Sequence, residues 1–500
     1  MRKTVVLSIL SLLLLTHSRC GQPEKASALH ANHCGSCHEA PAPAALPKSV
    51  WKETVLPEMA ARLGIATFGY DPELILGPDE YALARAHGHY PATPALTHDD
   101  WHRLYDYIID LAPDTLEAPP QIELQALTGF TPRTYNVDRQ SGSLITYAGQ
   151  TNDGSLITGD GYAKLTPLDP NAPRPIVTAR APIVHHQPHP AGDLLLEIGN
   201  IYPTEAHNGR LLRLGDGGRT EVIADSLHRP VYFLSTDLDD DGVDEIVICE
   251  YGNYTGALTL LTKEGDDYRR KRLSGMAGAI RVIAEDLDED GRTDLLVLHA
   301  QGDEGIDALY QQADGSFRQE SLLRFSPVWG TSWFELIDMD GDGDQDIVTV
   351  HGDNADYSNL RKPYHGLRIW TNDGNGHYNQ AYFLPLPGAT RVVTRDFDAD
   401  GDIDLAVACN FADFTHQPEA SFVYLEQQPG SDLTFTASTT PAALDGRWLI
   451  MEAFDADLDG DEDIVLGSFT LNPAPVPAEQ SRRWAGDSID VLVLTNDLLR

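Results

Sequence analysis

Two cysteines and a histidine stand together near the start of the chain, in the run Cys34-Gly35-Ser36-Cys37-His38. This is the CxxCH pattern of c-type haem attachment, because thiols at that spacing add to the two vinyl groups on one edge of the porphyrin. The next residue then supplies an imidazole to the iron. The alternatives are half of a zinc site, for which no second ligand pair follows, and a local disulfide. The run predicts haem c bound through Cys34 and Cys37, with His38 as an axial ligand.

The second axial ligand of such a haem is a sulfur or an imidazole. Met59 is the only methionine between residues 21 and 115, and a thioether ligand stabilises ferrous iron. Its alternative role is packing on an apolar helix face. Five histidines compete with it for the iron: His33, His87, His89, His98 and His102. We predict Met59 as the distal ligand.

Two helices are predicted to position this haem motif. Residues 23–33 lead into the cysteines, and a second helix follows Thr97, which is suited to cap it with Asp100 three residues on. The second helix has an apolar face made of Trp101, Leu104, Ile108 and Leu111. Residues 21–115 resemble a small bacterial cytochrome c domain, and this resemblance implies that the first and last helices cross beside the haem.

A second set of chemically active residues recurs five times, at intervals of roughly 50 to 60 residues, which indicates a repeat architecture. Each copy has carboxylates at loop positions 1, 3, 5 and 9 and glycine at position 6, the arrangement in which a hard cation gathers oxygen ligands. The predicted Ca²⁺ ligands are Asp237, Asp239, Asp241 and Glu245; Asp286, Asp288, Asp290 and Asp294; Asp338, Asp340, Asp342 and Asp346; Asp396, Asp398, Asp400 and Asp404; and Asp455, Asp457, Asp459 and Asp463.

These loops differ from EF-hands, because the bidentate glutamate at position 12 is absent and an apolar strand-like run follows each loop. The alternative interpretation is that aspartate and glycine only form tight turns. Four clustered carboxylates repel one another, however, so a bound cation explains the pattern better. The sequence therefore predicts calcium loops in a β-hairpin setting.

An apolar run enters each loop and another leaves it, as expected for strands buried between neighbouring sheets. Here the chain resembles the FG-GAP/VCBS repeat family of β-propellers, whose DxDxDGxxD loops bind calcium on one rim. The resemblance implies a mainly β, seven-bladed propeller over residues 126–500. Two blades without the carboxylates are expected before the first loop, and the run from Ser488 is expected to close the ring by pairing with the N-terminal blade.

Composition and the N-terminus limit where the protein works. The formal charge of -40 argues against binding to nucleic acid or to an anionic membrane surface. Residues 1–20 have a basic start and a short apolar run, as in a signal peptide. Cys20 is a possible lipid-attachment site, with ordinary cleavage nearby as the alternative. We predict an exported protein, in the periplasm or at the cell surface.

Together these features predict an electron-transfer protein rather than a catalyst. The haem carries one electron, and the propeller, joined by a linker at 116–125, docks it to a redox partner protein or surface complex. The alternative is a haem-dependent dehydrogenase whose propeller holds a substrate or a quinone cofactor. Aromatic and basic residues near strand ends, including Trp329 and Trp333, are predicted either to contact such ligands or to pack between blades.

Overall fold

The computed structural model describes residues 24–67, 69–137, 140–168, 174–353, 358–430, 433–471 and 476–498. The predicted signal peptide at 1–20 and the predicted lipid site at Cys20 lie outside these residues. Among the helices in the described ranges, none has the length and apolar character needed to cross a membrane.

The described strands form seven sheets, which are the blades of a propeller. Two short strands come first: β1, Gln125–Ala126, and β2, Phe130–Tyr135. Blades 1 to 3 follow, with β3 to β6 at Ile145–Gln150, Leu156–Asp160, Lys164–Pro167 and Val177–Thr178, β7 to β10 at Ile183–Gln187, Leu194–Glu197, Gly209–Gly215 and Arg219–Leu227, and β11 to β14 at Pro230–Thr236, Glu245–Glu250, Ala257–Glu264 and Asp267–Ser274.

The remaining four blades continue in the same order. Their strands are β15 to β18 at Ala279–Glu285, Asp294–His299, Gly305–Gln311 and Phe317–Arg324 in blade 4; β19 to β22 at Thr331–Ile337, Asp346–His351, Gly366–Asn372 and Tyr378–Pro385 in blade 5; β23 to β26 at Arg391–Arg395, Asp404–Ala408, Phe422–Gln427 and Phe435–Thr439 in blade 6; and β27 to β29 at Trp448–Phe454, Asp463–Ser468 and Val491–Asn496 in blade 7. The predicted seven-bladed propeller is confirmed.

The second strand of each blade explains the sequence pattern. In β12, β16, β20, β24 and β28 every residue is buried, so these strands are apolar on consecutive positions rather than alternate ones. The first strands of neighbouring blades contact one another and form the inner wall of the ring. As predicted, blades 1 and 2 precede the first acidic loop.

The ring is closed by strands from the two ends of the propeller sequence. In blade 7, β29 pairs antiparallel with β2, from Phe130 opposite Asn496 to Tyr135 opposite Val491. This confirms the predicted pairing of the run from Ser488 with the N-terminal part of the propeller. Closure in this way leaves neither terminal blade with an incomplete sheet.

The segment predicted as a linker runs along blade 6. Ile122 and Leu124 pack against the core between blades 5 and 6. The backbone N of Ile122 donates to Gln417 Oε1 at 3.2 Å, and Gln417 Nε2 donates to the carbonyl of Ile122 at 2.7 Å. β1 then adds to β26 as a parallel fifth strand. These contacts hold the segment on the propeller.

Short helices precede the propeller, and one lies near its end. They are α1, Ala26–Leu29, which continues as a π-helical turn, His30–Cys34; α2, Lys48–Val50, a π-helical turn, Trp51–Val55, and α3, Leu56–Arg62, in one continuous run; α4, Pro72–Leu76; α5, Pro78–Ala86; α6, His98–Leu111; and α7, Ala478–Asp487.

The N-terminal helices share one core, in which Leu29 of α1 is buried with Leu104 and Ile108 of α6. Thr97 caps α6 as predicted, since its hydroxyl accepts a hydrogen bond from the backbone N of Asp100 at 3.1 Å. The predicted apolar face is wrong at its last position. Leu111 is 54 % exposed, because α6 ends there and the chain turns away.

The N-terminal helices lie on one rim of the propeller. Val328, between β18 and β19, packs against their core. Hydrogen bonds join them to connections between second and third strands, including those of His89 to the carbonyl of Tyr254 (2.9 Å), Thr204 to Glu80 (2.9 Å), and Tyr364 to the carbonyl of Ala45 (2.8 Å). The acidic loops connect first to second strands, so they lie on the opposite rim.

Ring closure gives a prediction for stability. Leu494 in β29 is fully buried, so Leu494→Ala removes apolar contacts between blades and should lower the free energy of unfolding by about 2–5 kcal/mol. The measurement is denaturant unfolding followed by circular dichroism.

The control for this variant is Leu471→Ala, because Leu471 is 60 % exposed. It should change the free energy of unfolding by no more than about 0.5 kcal/mol. Equal stability of the two variants would contradict the closure.

Candidate functional site

The CxxCH run begins at the end of a helix. Cys34 is the last residue of the π-helical turn after α1, and it packs against the core of the N-terminal helices. Burial raises the pKa of its thiol to about 11. Cys37 is exposed, and both thiols are free.

The imidazole of His38 has one nitrogen oriented by the backbone. Its Nδ1 donates to the carbonyl of Glu39 at 2.8 Å. This fixes the proton on Nδ1 and leaves the lone pair of Nε2 available, the arrangement common among metal-binding histidines. Burial lowers the pKa of His38, which favours the neutral ring. Asp303 and Arg324 of blade 4 also act electrostatically on it, so the motif faces the propeller.

Met59 lies in α3 and packs against the same buried core as Cys34. Several competing histidines have other surroundings. His89 binds the carbonyl of Tyr254, and His87 binds that of Leu83 at 3.0 Å. His98 and His102 are exposed. Cys34 and Met59 thus border the same core of the N-terminal helices.

The acidic loops bring three carboxylates together in each of blades 3 to 7. Within each triplet, one oxygen of every carboxylate lies within 4.8 Å of the others. The triplets are Asp237, Asp239 and Glu245; Asp286, Asp288 and Asp290; Asp338, Asp340 and Asp346; Asp396, Asp398 and Asp400; and Asp455, Asp457 and Asp463. Each leaves out one predicted ligand, namely Asp241, Asp294, Asp342, Asp404 or Asp459.

The first carboxylate of each loop holds the turn. In blade 3, for example, Asp237 Oδ1 accepts from the backbone N of Asp241 at 3.1 Å, and Oδ2 accepts from that of Gly242 at 2.8 Å. The glycine at position 6 has positive φ in every loop, 85° at Gly242. Only glycine adopts this conformation without strain.

Position 4 of each loop is also left-handed, which the sequence analysis did not predict. The residues there have φ between 57° and 75°, and they are Asp240, Glu289, Gly341, Ala399 and Leu458. Non-glycine residues are disfavoured in this region. The single glycine among the five copies was the only signal of this backbone requirement in the sequence.

The carboxylate at position 9 links the loop to the sheet behind it. In blade 5, Asp346 Oδ2 accepts from the backbone N of Met339 at 2.9 Å, and Oδ1 accepts from that of Asn372 at 2.8 Å. Blade 7 has the same pattern at Asp463. One side chain thus ties the first, second and third strands of a blade together.

Neighbouring loops are also linked. In blades 4, 6 and 7 an amide side chain at the end of the third strand donates to the position 2 carbonyl of the preceding blade's loop. The pairs are Gln311 to Leu238 (2.8 Å), Gln427 to Met339 (3.4 Å) and Asn496 to Phe397 (2.8 Å). A recurrent Gln or Asn at this strand end was the sequence signal for these residues, which the sequence analysis missed.

The position 9 carboxylates are buried among other negative charges. Burial raises the pKa of Asp346 and of Asp404 to about 6, and neighbouring carboxylates add to the increase. Glu245, Asp294 and Asp463 shift in the same direction for the same reason. A divalent cation would neutralise this charge, and the oxygen donor set fits Ca²⁺.

The comparisons with known proteins support the repeat and the fold. A family model described as "FG-GAP-like repeat" matches residues 286–349, which include the loops of blades 4 and 5. No curated protein matches the chain. The chain thus contains an FG-GAP-like repeat within a seven-bladed β-propeller.

Among solved structures, the N-terminal domain of Nup159 is 11 % identical with a TM-score of 0.41, over 76 % of this chain and 99 % of that one. A protein from Lactobacillus plantarum is 12 % identical with a TM-score of 0.39, over 59 % and 85 %.

The raised pKa values predict a pH dependence of the metal-free protein. Between pH about 4 and 6 the folded state holds protons on Asp346 and Asp404 that the unfolded state releases, so the protons stabilise the fold. This contribution is complete below pH about 4 and is lost as the pH rises through about 6. Thermal unfolding in chelator at several pH values measures it.

The matched variants are Asp346→Asn with Asp404→Asn, which should reduce the pH dependence, and Asp344→Asn with Asp402→Asn, which should not. Asp344 and Asp402 lie in the same two loops but not at position 9. An identical pH profile in both double variants would contradict the assignment of the titrating groups.

Proposed function

We propose that this protein is an exported electron-transfer protein, in which a monohaem cytochrome c-like domain at residues 21–115 is carried by a calcium-stabilised propeller. The observation that carries the proposal is the CxxCH run with His38 oriented by Glu39, and with Cys34 and Met59 against one core. Cys34 and Cys37 would bind the porphyrin, and His38 and Met59 would bind the iron. When bound, the haem supplies reversible transfer of one electron.

The chain's own residues prepare this site. The Nδ1 hydrogen bond to Glu39 keeps the His38 ring in one tautomer, and the lowered pKa keeps it neutral and ready to bind a metal. The apolar core against which Cys34 and Met59 pack excludes water, which favours the less charged ferrous state. Cys37 is exposed, so one edge of the site reaches the surface, where a partner can approach.

The five acidic loops would bind structural calcium. The triplets provide oxygens within 4.8 Å of one another, and the protein's net charge of -40 makes neutralisation favourable. Position 9 of each loop is bonded to the sheet, so a cation there would stiffen the propeller rather than react with a substrate. The loops lie on the rim opposite the N-terminal helices, away from the haem motif.

The propeller would act as the docking module. Its contacts with the N-terminal helices through Tyr254, Thr204 and Tyr364 would give the haem one fixed orientation relative to a partner bound elsewhere on the ring. We propose a redox partner protein or surface complex, and not nucleic acid, because of the negative charge. The signal-like residues 1–20 support export to the periplasm or cell surface, with a lipid anchor at Cys20 as one route of attachment.

A second candidate is an oxidoreductase whose propeller binds a substrate or an organic cofactor such as a quinone. This candidate is favoured by aromatic and charged side chains of the inner strands. Two guanidinium groups, for example, lie over the ring of Trp333. Reduction of the haem by a small molecule without a partner protein would support this candidate over the first.

Haem attachment is tested in a host that matures c-type cytochromes. The wild-type protein should keep a haem spectrum after denaturation, because the bonds to Cys34 and Cys37 are covalent, and the Cys34→Ala/Cys37→Ala variant should lose it. Cys249→Ala should keep the haem, because Cys249 lies buried in blade 3. A colourless wild-type protein would contradict the proposal.

The distal ligand is tested separately. Met59→Ala should abolish the weak long-wavelength band of a sulfur-to-iron bond and lower the reduction potential, because a thioether favours ferrous iron. Absorption spectroscopy and redox titration measure the two effects. Met276→Ala, in the propeller, is the control and should leave both unchanged. An unaltered spectrum in Met59→Ala would show that a histidine is the ligand.

A further inference from the structure

Side chains from all seven inner strands meet in the centre of the propeller. Strands β3, β7, β11, β15, β19, β23 and β27 each contribute at least one. We call this set the channel cluster, and it contains Tyr147, His185, Tyr232, Arg281, Trp333, Glu335, Arg391 and Glu452. None of these residues belongs to the haem motif or to the acidic loops.

The aromatic members form a continuous surface. The rings of Tyr147 and His185 are 5.6 Å apart, those of His185 and Tyr232 4.3 Å apart, and those of Tyr232 and Trp333 6.2 Å apart. Burial lowers the pKa of His185 to about 3, so its ring is neutral at physiological pH. The aromatic wall that these rings form is apolar over the ring faces and carries polar groups at the ring edges.

Two guanidinium groups lie over the Trp333 ring, that of Arg281 at 4.1 Å and that of Arg391 at 3.5 Å from the ring centroid. Arg281 also forms an ion pair with Glu335 at 2.8 Å, and Glu335 accepts a hydrogen bond from Trp333 Nε1 at 2.9 Å. Arg281, Glu335 and Trp333 are therefore linked to one another, although within the described residues Arg281 Nε has no hydrogen-bond partner.

Arg391 and Glu452 differ from the ion pair of Arg281 and Glu335. Within the described residues, Arg391 Nε has no hydrogen-bond partner, and neither side chain forms an ion pair. Burial lowers the pKa of Arg391 to about 10, so it stays charged at neutral pH. Burial also raises the pKa of Glu452, against the attraction of Arg281 and Arg391. Arg391 and Glu452 are half-buried and attract each other without forming an ion pair, so a ligand that bonds to both groups would be favoured between them.

The propeller fold does not require a charged residue at the position of Arg391. Tyr232, Arg281, Trp333 and Arg391 each lie five residues before the first aspartate of their loop, and the residue at the same place in blade 7 is Ile450, which is buried. An apolar residue is thus compatible with the inner wall of this propeller. This repeated position was the sequence signal for the cluster.

We propose that the central channel binds a small organic carboxylate that also carries a hydrogen-bond donor. The carboxylate would pair with the guanidinium of Arg391 in the planar geometry that favours arginine. A hydroxyl or amino group of the same molecule would donate to Glu452. Its carbon skeleton would lie against the rings of His185 and Tyr232. Recognition of both polar groups gives selectivity over simple inorganic anions.

The proposal is tested on the full exported chain by calorimetric titration with lactate, malate and 4-hydroxybenzoate, and with phosphate and chloride as inorganic probes. At least one of the three carboxylates should bind, and phosphate and chloride should not. Absence of binding by all three carboxylates, or equal binding of phosphate, would overturn the proposal.

Variants locate the site. Arg391→Gln should weaken carboxylate binding by about 30-fold or more, because it removes the positive charge that would pair with the bound carboxylate. Arg395→Gln is the matched control on the same strand, since Arg395 pairs with Glu462 at a partly exposed site, and it should bind as the wild type does. Unchanged affinity in Arg391→Gln would overturn the proposal.

If Arg391→Gln does not fold, Glu452→Gln gives the second test. It should weaken binding of 4-hydroxybenzoate relative to benzoate, which lacks the donor. An unchanged ratio of the two affinities would overturn the assigned role of Glu452.

Discussion

The propeller depends on carboxylates that are buried where they repel one another. At position 9 of the acidic loops in blades 4, 5 and 7, a carboxyl such as Asp346 accepts backbone hydrogen bonds from its own loop and from the third strand of the blade. The third strand then reaches the preceding loop through amides such as Gln427 and Asn496. The same negative groups that join the strands therefore also make the rim unstable unless their charge is neutralised.

The burial of these carboxylates at one rim makes the two rims of the propeller different. The rim with the acidic loops has the dense negative charge and the regular hydrogen bonds, whereas the other rim has irregular connections that contact the N-terminal helices through residues such as Tyr254 and Tyr364. A cation-stiffened rim would hold the seven blades in register. The opposite rim is then free to vary in shape, and its residues Asp303 and Arg324 act electrostatically on His38.

Much of this fold was predictable because its signals are local and repeated. The loop aspartates and the glycines after them have fixed spacing, and the fully buried second strands give unbroken apolar runs. Thr97 was predictable as a cap because its partner Asp100 is three residues away. Blades 1 and 2 were found only by spacing, since they lack the carboxylates.

The rest depends on contacts between distant residues. The left-handed backbone at Leu458 is imposed by the loop and not by its side chain. Exposure of Leu111 follows from where the chain leaves α6. The channel cluster joins one or two residues from each of seven strands, and only the closed ring brings them together. The contacts of the N-terminal helices with the propeller likewise have no periodic pattern in the sequence.

The central claim is that the acidic loops of blades 3 to 7 are cation sites on which the ring depends. The most direct measurement is the calcium content of the purified protein by mass spectrometry of the metals, combined with thermal unfolding before and after chelation. The account predicts about five calcium ions per chain, one for each carboxylate triplet, and a lower unfolding temperature in chelator that added calcium restores. A protein that contains no calcium and unfolds at the same temperature in calcium and in chelator would contradict it.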